Sequence, residues 1–599
     1  MLLAPLTLAP LILALHLACG QLAPSSQEAV PPRAPHPTPA LSEHCAKVAP
    51  EPSVQEVAPG VWLAQGYDLA NTIVIATPEG NVVVDPGMSP ARARGVREAV
   101  APHAPGPTRA IIYTHSHIDH VGGASAWADP GTEVWATDAF ADNFFSQYGM
   151  FLPAEARRGA HQFGQDVPDE ALGCSGLGRR PDLVAALDNG TVLPTRTFSG
   201  QAVLEVGGVR IELSASPGET RDQLSVWLPQ EQVLLPGDDF YAAFPSLYTL
   251  RGTLPRPAEP WISSLDAMRR LDPQVLVPSH TAPILGRDQV REALTRYRDG
   301  IQWVRDAVVR GANAGTRIDT LAASVQLPPR LAEDPDLAPL YGQVDWSVRA
   351  LYSNELGWFD GRPEALYPLP PDEQARRTVE MMGGTATVVE AARKARAEGD
   401  ATWALHLLRL VEDAGGGIGS ARVDDAGRTL SGPDLNEEIA RTLEARARSV
   451  TNPNGRAWLL QDAHERREGS PSPRQPTLSD DFIDGIPVRL VFDVMATRLR
   501  PQDAMGVEES VVFHLEDPAA DYVVTVRDGV AEVVAGAPLP GTPAPIAEVR
   551  TTAATWRRVA LGQQTPVAAV ASRAIQLDGD PMALVHFLDR FDRGLSPSP

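Results

Sequence analysis

The chain has 599 residues, too many for one hydrophobic core, which stops growing at roughly 250–300 residues, so about three domains are expected. Hydrophobic residues make up 43% and charged ones 21%, a globular balance rather than a disordered or fibrous one. The formal net charge of -23 argues against nucleic acid and anionic membrane surfaces as partners; an anionic small molecule stays open, because bound cations reverse a field locally.

Residues 1–20 (MLLAPLTLAPLILALHLACG) are apolar and read as a signal peptide. Pro5, Pro10 and the polar residues that follow argue against a transmembrane anchor. A secreted, periplasmic or envelope-attached protein is therefore expected. Ala18-Cys19-Gly20 makes Cys19 a candidate lipid anchor, although His16 stands where such sites usually carry Leu and no early Lys or Arg precedes it. Residues 21–52, rich in Pro, Ala and Ser, read as a disordered tether. Only Cys45 and Cys174 remain in the mature chain. A disulfide and two free thiols both stay open, and two isolated cysteines are too few to hold a metal through thiolates.

From residue 53 short β-branched runs appear: Val61-Trp62-Leu63, Thr72 to Ile75, Asn81 to Asp85, Ala110 to Tyr113 and Glu133 to Ala136. They alternate with helical stretches such as 90–102, so 53–310 is expected to be an α/β domain. A long amphipathic helix begins at 287–310. The segment 311–465 reads as helical, with helices at Val388 to Glu398, Thr402 to Asp413 and Asn436 to Ser449. A polar linker is expected over 466–478. The final block, 479–595, mixes alternating strands (Val488 to Val494, Tyr522 to Val526, Val530 to Val534) with a closing helix near 582–592, so a separate α+β domain is expected.

The strongest chemical signal is Thr114-His115-Ser116-His117-Ile118-Asp119-His120-Val121-Gly122-Gly123, at the end of a buried strand. Three imidazoles and a carboxylate arrive within six residues, the ligand types that zinc and its first-row neighbours take. The spacing puts His115 and His117 on one side of an extended turn, while Asp119 and His120 face a second position beside the first. The glycines are expected to let the backbone turn tightly. Two metals need more ligands, and later strand ends offer them: Glu219 in Ser216-Pro217-Gly218-Glu219-Thr220, Asp238 in Pro236-Gly237-Asp238-Asp239, and His280 after Pro278-Ser279. Asp222, three residues beyond Glu219, is its nearest competitor.

These residues, with Asp85 before Pro86-Gly87, resemble the metallo-β-lactamase superfamily. A Glu after Pro217-Gly218, where the superfamily usually places His, resembles its alkyl sulfatase branch. Leu247-Tyr248-Thr249-Leu250-Arg251-Gly252 is similar to that branch's sulfate-binding segment. Gly357-Trp358-Phe359-Asp360-Gly361, Pro368-Leu369-Pro370-Pro371 and Met381-Met382-Gly383-Gly384 resemble its helical dimerisation domain. Leu490-Val491-Phe492-Asp493 and Leu577-Asp578-Gly579-Asp580 resemble its sterol-carrier-like domain. The resemblance implies an αββα sandwich followed by an all-α dimerisation domain and an α+β sterol-carrier-like domain, in a homodimer.

The implied site binds two Zn2+ or similar divalent ions. His115, His117 and Glu219 hold the first, Asp119, His120 and His280 hold the second, and Asp238 bridges them. Asp119 and Asp238 also serve catalysis. Arg251 and Ser246 contact the anionic head of an amphiphilic substrate, and Asp85 anchors the ligand loop from behind. Three features depart from the branch. Gly237-Asp238-Asp239 replaces its Ala-Glu-Asn run, Ser246 replaces its sulfate-contacting Asn, and Asp345-Trp346 stands where it has a His-Asn pair. Hydrolysis of alkyl sulfate esters is the expected activity. Another ester, a lactone or a β-lactam is the alternative substrate, and a lipid-binding carrier is the alternative from another class.

Overall fold

The computed structural model describes residues 35–416, 422–423, 429–430, 432–470 and 477–592. The expected signal peptide and Cys19 lie outside the described residues. No helix among the described residues is long and apolar enough to cross a membrane.

The α/β region is built on two sheets. The first has seven strands in the order 53–58, 61–65, 72–77, 80–84, 108–112, 133–137, 196–198. The second has six, in the order 284–285, 275–276, 233–235, 224–228, 209–215, 201–206. Alternation along the strands splits their side chains between two cores. Ile73, Ile75, Val82, Val84 and Ile112 pack between the sheets against Ile211, Leu213, Val226 and Val233. Val74, Val83 and Ile111 face outward and pack with Ala93 and Val96 of helix Pro90–Val100. On the far side, Leu234 and Leu276 lie under Trp261 and Leu265 of helix Ala258–Leu271 and Leu294 and Ile301 of helix Arg287–Asn313. Both faces of each sheet are covered, which is why the central strands read as unbroken apolar runs. The arrangement is the expected αββα sandwich.

The helices expected at 388–398, 402–413 and 436–449 are observed as Thr385–Ala397, Ala401–Val411 and Gly432–Ala447. They enclose a core of Val388, Leu407, Leu408, Val411 and Ile439. Helix Pro453–Glu468 returns to pack on helix Leu152–Phe163 of the α/β region. Its fully buried Arg456 donates from Nε to the carbonyl of Ala171 at 2.8 Å.

The last domain is a five-stranded sheet in the order 530–535, 519–527, 508–516, 545–551, 575–579, covered by helices Val488–Ala496, Ala553–Ala560 and Pro581–Leu588. Phe492 stacks on Tyr522 at 4.5 Å and on Trp556 at 5.4 Å. The domain shares a core with the α/β region, where Phe482 meets Phe144 at 5.8 Å and Phe145 at 6.0 Å.

Three expectations need correction. Residues 39–48 are a helix rather than part of a tether. Thr38 Oγ1 accepts from the Leu41 amide at 3.2 Å, and Pro39 sits at the first turn, where its missing N–H costs nothing. Leu41 is fully buried, and Cys45 forms a disulfide with Cys174, their Cα atoms 5.4 Å apart. Secondly, Val488 to Val494 is helical. Its apolar residues satisfy a period of two, but they also satisfy helical spacing, and Val488, Val491, Phe492 and Met495 are the buried ones. Thirdly, the polar linker begins late, because helix Pro453–Glu468 continues through its first residues.

Candidate metal centre

The strand Thr108–Ile112 ends beneath Asp85, whose backbone takes a left-handed conformation (φ 56°) at the close of the neighbouring strand. This turns the Asp85 carboxylate onto the histidine segment. It accepts from the Thr114 amide at 2.9 Å, from the Thr114 hydroxyl at 2.8 Å and from the Ser279 hydroxyl at 2.6 Å. It also meets His120 Nδ1 at 2.8 Å, which leaves His120 Nε2 to face inward. His280 is fixed likewise, Nδ1 lying 3.0 Å from the carbonyl of Leu69. His115 Nδ1 lies 3.0 Å from the Thr114 hydroxyl. Gly122 and Gly123 serve close approach rather than a sharp turn: both have helical φ, and a Cβ on them would meet the carbonyl oxygens of Met88 and Pro86 at 2.0 and 2.3 Å.

Seven donor groups converge in two sets, His115, His117, Glu219 and Asp238, and Asp119, His120 and His280. In the first, His117 Nδ1 is 3.3 Å from Glu219 Oε2, and His115 Nε2 is 3.7 Å from Glu219 Oε2 and 3.8 Å from Asp238 Oδ2. His115 Nε2 and His117 Nδ1 are closer, at 2.7 Å. In the second, Asp119 Oδ2 is 3.4 Å from His120 Nε2 and 3.5 Å from His280 Nε2. Asp238 Oδ2 also reaches His120 Nε2 at 3.6 Å and His280 Nε2 at 3.3 Å, so one oxygen serves both sets.

The donor set fits a pair of divalent ions. Ligand atoms about 2.1 Å from a tetrahedral centre are about 3.4 Å apart, and all of these spacings but the His115–His117 one are close to that. His120 Nε2 and Glu219 Oε2 are buried without a hydrogen-bond partner, which a structural hydrogen-bond network would not leave. The electrostatics agree. Burial, with His120 and His117 nearby, holds the His115 pKa well below its ordinary value, and burial, with Arg251 and Arg256, does the same to His117, so both are neutral imidazoles with a free lone pair. Around His120 burial opposes protonation, yet Asp119, Asp238 and Asp85 outweigh it and raise its pKa well above the ordinary value. That balance marks a place where positive charge is favoured.

Asp222 does not join the cluster. It is buried, and burial raises its pKa to about 7. Glu219 is the residue delivered to the donor set.

A cavity of about 960 Å³ opens from the centre. His117, Asp119, Glu219, Asp238, His280 and Arg251 line its polar end. Arg251 is held by helix Leu152–Phe163: its Nε lies 3.2 Å from Glu155 Oε1, and its amide donates to Gln162 Oε1 at 2.6 Å. Ser246 is a correction. It is buried away from the cavity wall, its hydroxyl donating to the Tyr248 carbonyl at 3.2 Å and its amide to the Tyr241 hydroxyl at 2.7 Å. A shorter side chain than Asn is turned back onto its own loop. Asp345 and Trp346 do not line the cavity either, whereas Tyr341 does.

The apolar wall comes from two domains. Phe144, Phe145 and Leu152 contribute from one, and Phe482, Leu490, Val491, Val494 and Met495 from the other. The last four lie on one face of helix Val488–Ala496, whereas Val488 and Phe492 do not line the cavity and fill the core behind it. Leu584, Phe587 and Leu588 of the closing helix are also core, not cavity wall.

Sequence reading missed Arg256, whose Nη1 donates to Glu219 Oε1 at 2.5 Å. The available signal was chemical: a carboxylate in place of an imidazole calls for a nearby cation, and Arg256 follows in the same loop as Arg251. It also missed Glu155, Tyr148 and Tyr341, which only tertiary packing brings to the cavity, and Gln162, which holds the Arg251 amide.

Residues 66–280 match the metallo-beta-lactamase superfamily, 317–469 the alkyl sulfatase dimerisation family and 476–595 the alkyl sulfatase C-terminal family. Over 485 residues the chain is 32% identical to a linear primary-alkylsulfatase of a Pseudomonas strain, covering 77% of this chain and 88% of that one. It is 29% identical over 557 residues to an (R)-specific secondary-alkylsulfatase of Pseudomonas sp., covering 90% of this chain and 80% of that one. The solved structure of the stereoselective inverting sec-alkylsulfatase Pisa1 from Pseudomonas sp. superposes with a TM-score of 0.81 at 27% identity, over 94% of this chain and 88% of that chain.

Proposed function

Since the chain belongs to the alkyl sulfatase family of the metallo-β-lactamase superfamily, we propose that it hydrolyses alkyl sulfate esters to alcohol and sulfate at a two-zinc centre. The observation that carries this reading is the joining, in one cavity, of the convergent donor set, a buried guanidinium and an apolar wall. A neutral lactone asks for no such guanidinium, a β-lactam asks for no long apolar wall, and a lipid carrier asks for no metal ligands.

The seven side chains divide as their spacing suggests, with Asp238 Oδ2 shared. Zinc ions held there supply Lewis acidity to the sulfate oxygens and to the attacking water. The protein's own groups do the rest. Arg251 presents a planar fork to the sulfate oxygens and orients the head. Asp119, at the cavity wall, orients the water and takes its proton. Leu490, Val491, Val494 and Met495 shed water around the alkyl tail. Asp85 keeps His120 in the tautomer that leaves Nε2 free.

The test is turnover by the full chain against primary and secondary alkyl sulfates, lactones and nitrocefin, with elemental analysis of the same sample. Alkyl sulfates are expected to be cleaved, with about two zinc-like ions per chain. A parent protein that cleaves no sulfate, or carries only trace metal after supply during growth, overturns the reading.

The protein works as a homodimer in this proposal. Support comes from the dimerisation-family match and from an exposed apolar segment within it, where Trp358 is 73% and Tyr367 89% exposed, beside Leu356, Leu366 and Leu369. A second copy of the chain is the expected cover. Light scattering at micromolar concentration should give a dimer for the parent and a shift toward monomer for Trp358→Asp with Tyr367→Asp. A monomeric parent would contradict this.

Export from the cytoplasm is also part of the proposal. The apolar N-terminal sequence and the Cys45–Cys174 disulfide, a bond that persists in oxidising compartments, support it.

A further inference from the structure

We propose that Arg256 is a positioning residue that makes a glutamate workable as a ligand at position 219, and that the two act as one unit. The inference rests on the two-ion reading above. Arg256 and Glu219 each keep only 2% of their side-chain surface, and Arg256 Nη1 donates to Glu219 Oε1 at 2.5 Å. The same Nη1 donates to the Ser246 carbonyl at 2.8 Å, and Ser246 is itself held through its amide by the Tyr241 hydroxyl at 2.7 Å. From the other side, the Glu219 amide donates to Asp239 Oδ1 at 3.2 Å.

Two consequences follow. The first is geometric. A free carboxylate can offer one oxygen or both, and can swing between two ions. With Oε1 taken by the guanidinium, only Oε2 is left, and it is the atom that lies 3.3 Å from His117 Nδ1 and has no hydrogen-bond partner. Arg256 thereby fixes which oxygen faces the centre. The second is electrostatic. Glu219 adds a negative charge to a buried centre that already holds Asp119 and Asp238, where an imidazole would add none. A guanidinium stays charged at every working pH and returns that charge. Neither partner tolerates loss of the other, because a buried charge left alone is costly. Arg256 Nε and Nη2 have no hydrogen-bond partners, so Glu219 is the counter-charge that justifies burying the side chain.

The experiment uses metal-stripped full-length protein, checked for native circular dichroism, and titrates zinc against a chromophoric chelator. Arg256→Met should weaken zinc binding at one of the two positions roughly 10- to 100-fold and leave the other near the parent value. Arg256→Lys, which keeps the charge, should lose less. Glu219→His alone strands the guanidinium and should also bind weakly. Glu219→His combined with Arg256→Met, which removes both charges and restores a neutral ligand, should bind more tightly than either single variant. A purely structural role for Arg256 predicts the reverse, with the double variant the weakest. If Arg256→Met does not fold when stripped, the double variant against Glu219→His alone decides. Parent-like affinity in Arg256→Met, or no recovery in the double variant, overturns the proposal. If the parent itself binds two ions, such a result leaves the proposed function standing; if the parent binds none, both fall.

Discussion

Asp238→Asn should lower kcat/KM for alkyl sulfates by ~10³-fold or more and reduce bound metal from about two ions per chain to about one. The position is unlike the other six. Its Oδ2 lies 3.8 Å from His115 Nε2, 3.6 Å from His120 Nε2 and 3.3 Å from His280 Nε2, so one atom closes both sets. Asn keeps the shape but replaces an anionic oxygen with a neutral amide. The Lewis acidity of a bound ion is worth several kcal/mol, and each 1.36 kcal/mol is tenfold in rate. Elemental analysis and steady-state kinetics on one preparation make the check. Two retained ions with activity within tenfold of the parent would show that the bridge is elsewhere.

The second large effect is expected at Arg251. Arg251→Ala removes charged hydrogen bonds worth about 1.5–3 kcal/mol, so kcat/KM should fall roughly 10- to 150-fold. The loss should be the same for short and long alkyl chains, because Arg251 lies at the polar end of the cavity. Leu490→Ala with Val494→Ala should behave oppositely. These residues line the apolar wall, and their loss should grow with chain length, by about 0.8 kcal/mol for each CH₂ that loses its contact. If Arg251→Ala hydrolyses sulfates as the parent does, the head is held by something else. If both sets of variants lose activity uniformly, the cavity does not separate head from tail.

What could be read in advance followed the range of the interactions. His115, His117, Asp119 and His120 were legible because one local segment carries them all, after a strand whose burial shows in its composition. Glu219, Asp238 and His280 were legible one step further out, since strand ends of a sandwich collect on one edge. Arg256 and Glu155 were not, because an arginine or glutamate in a loop or helix looks like a solvated charge until the fold buries it. Residues 488–494 misled because one set of apolar positions satisfied two periodicities, and only packing on Tyr522 and Trp556 selects the helix. Residues 39–48 misled because proline and alanine dominate their surroundings, while the contact that orders them is 129 positions away in the chain.

That same contact, between Cys45 and Cys174, closes a covalent ring containing the first six strands of the seven-stranded sheet, Asp85 and all of the histidine segment. A single peptide-bond cut inside the ring, for instance at Phe151, which is 64% exposed, cannot separate the halves of the enzyme. The histidine segment would stay tethered to the part of the chain carrying Glu219, Asp238 and His280. Nicked protein would run at full mass on a non-reducing gel and split only when a thiol is added. Endurance against a protease would then depend on the surrounding reductant as much as on the number of cleavable bonds.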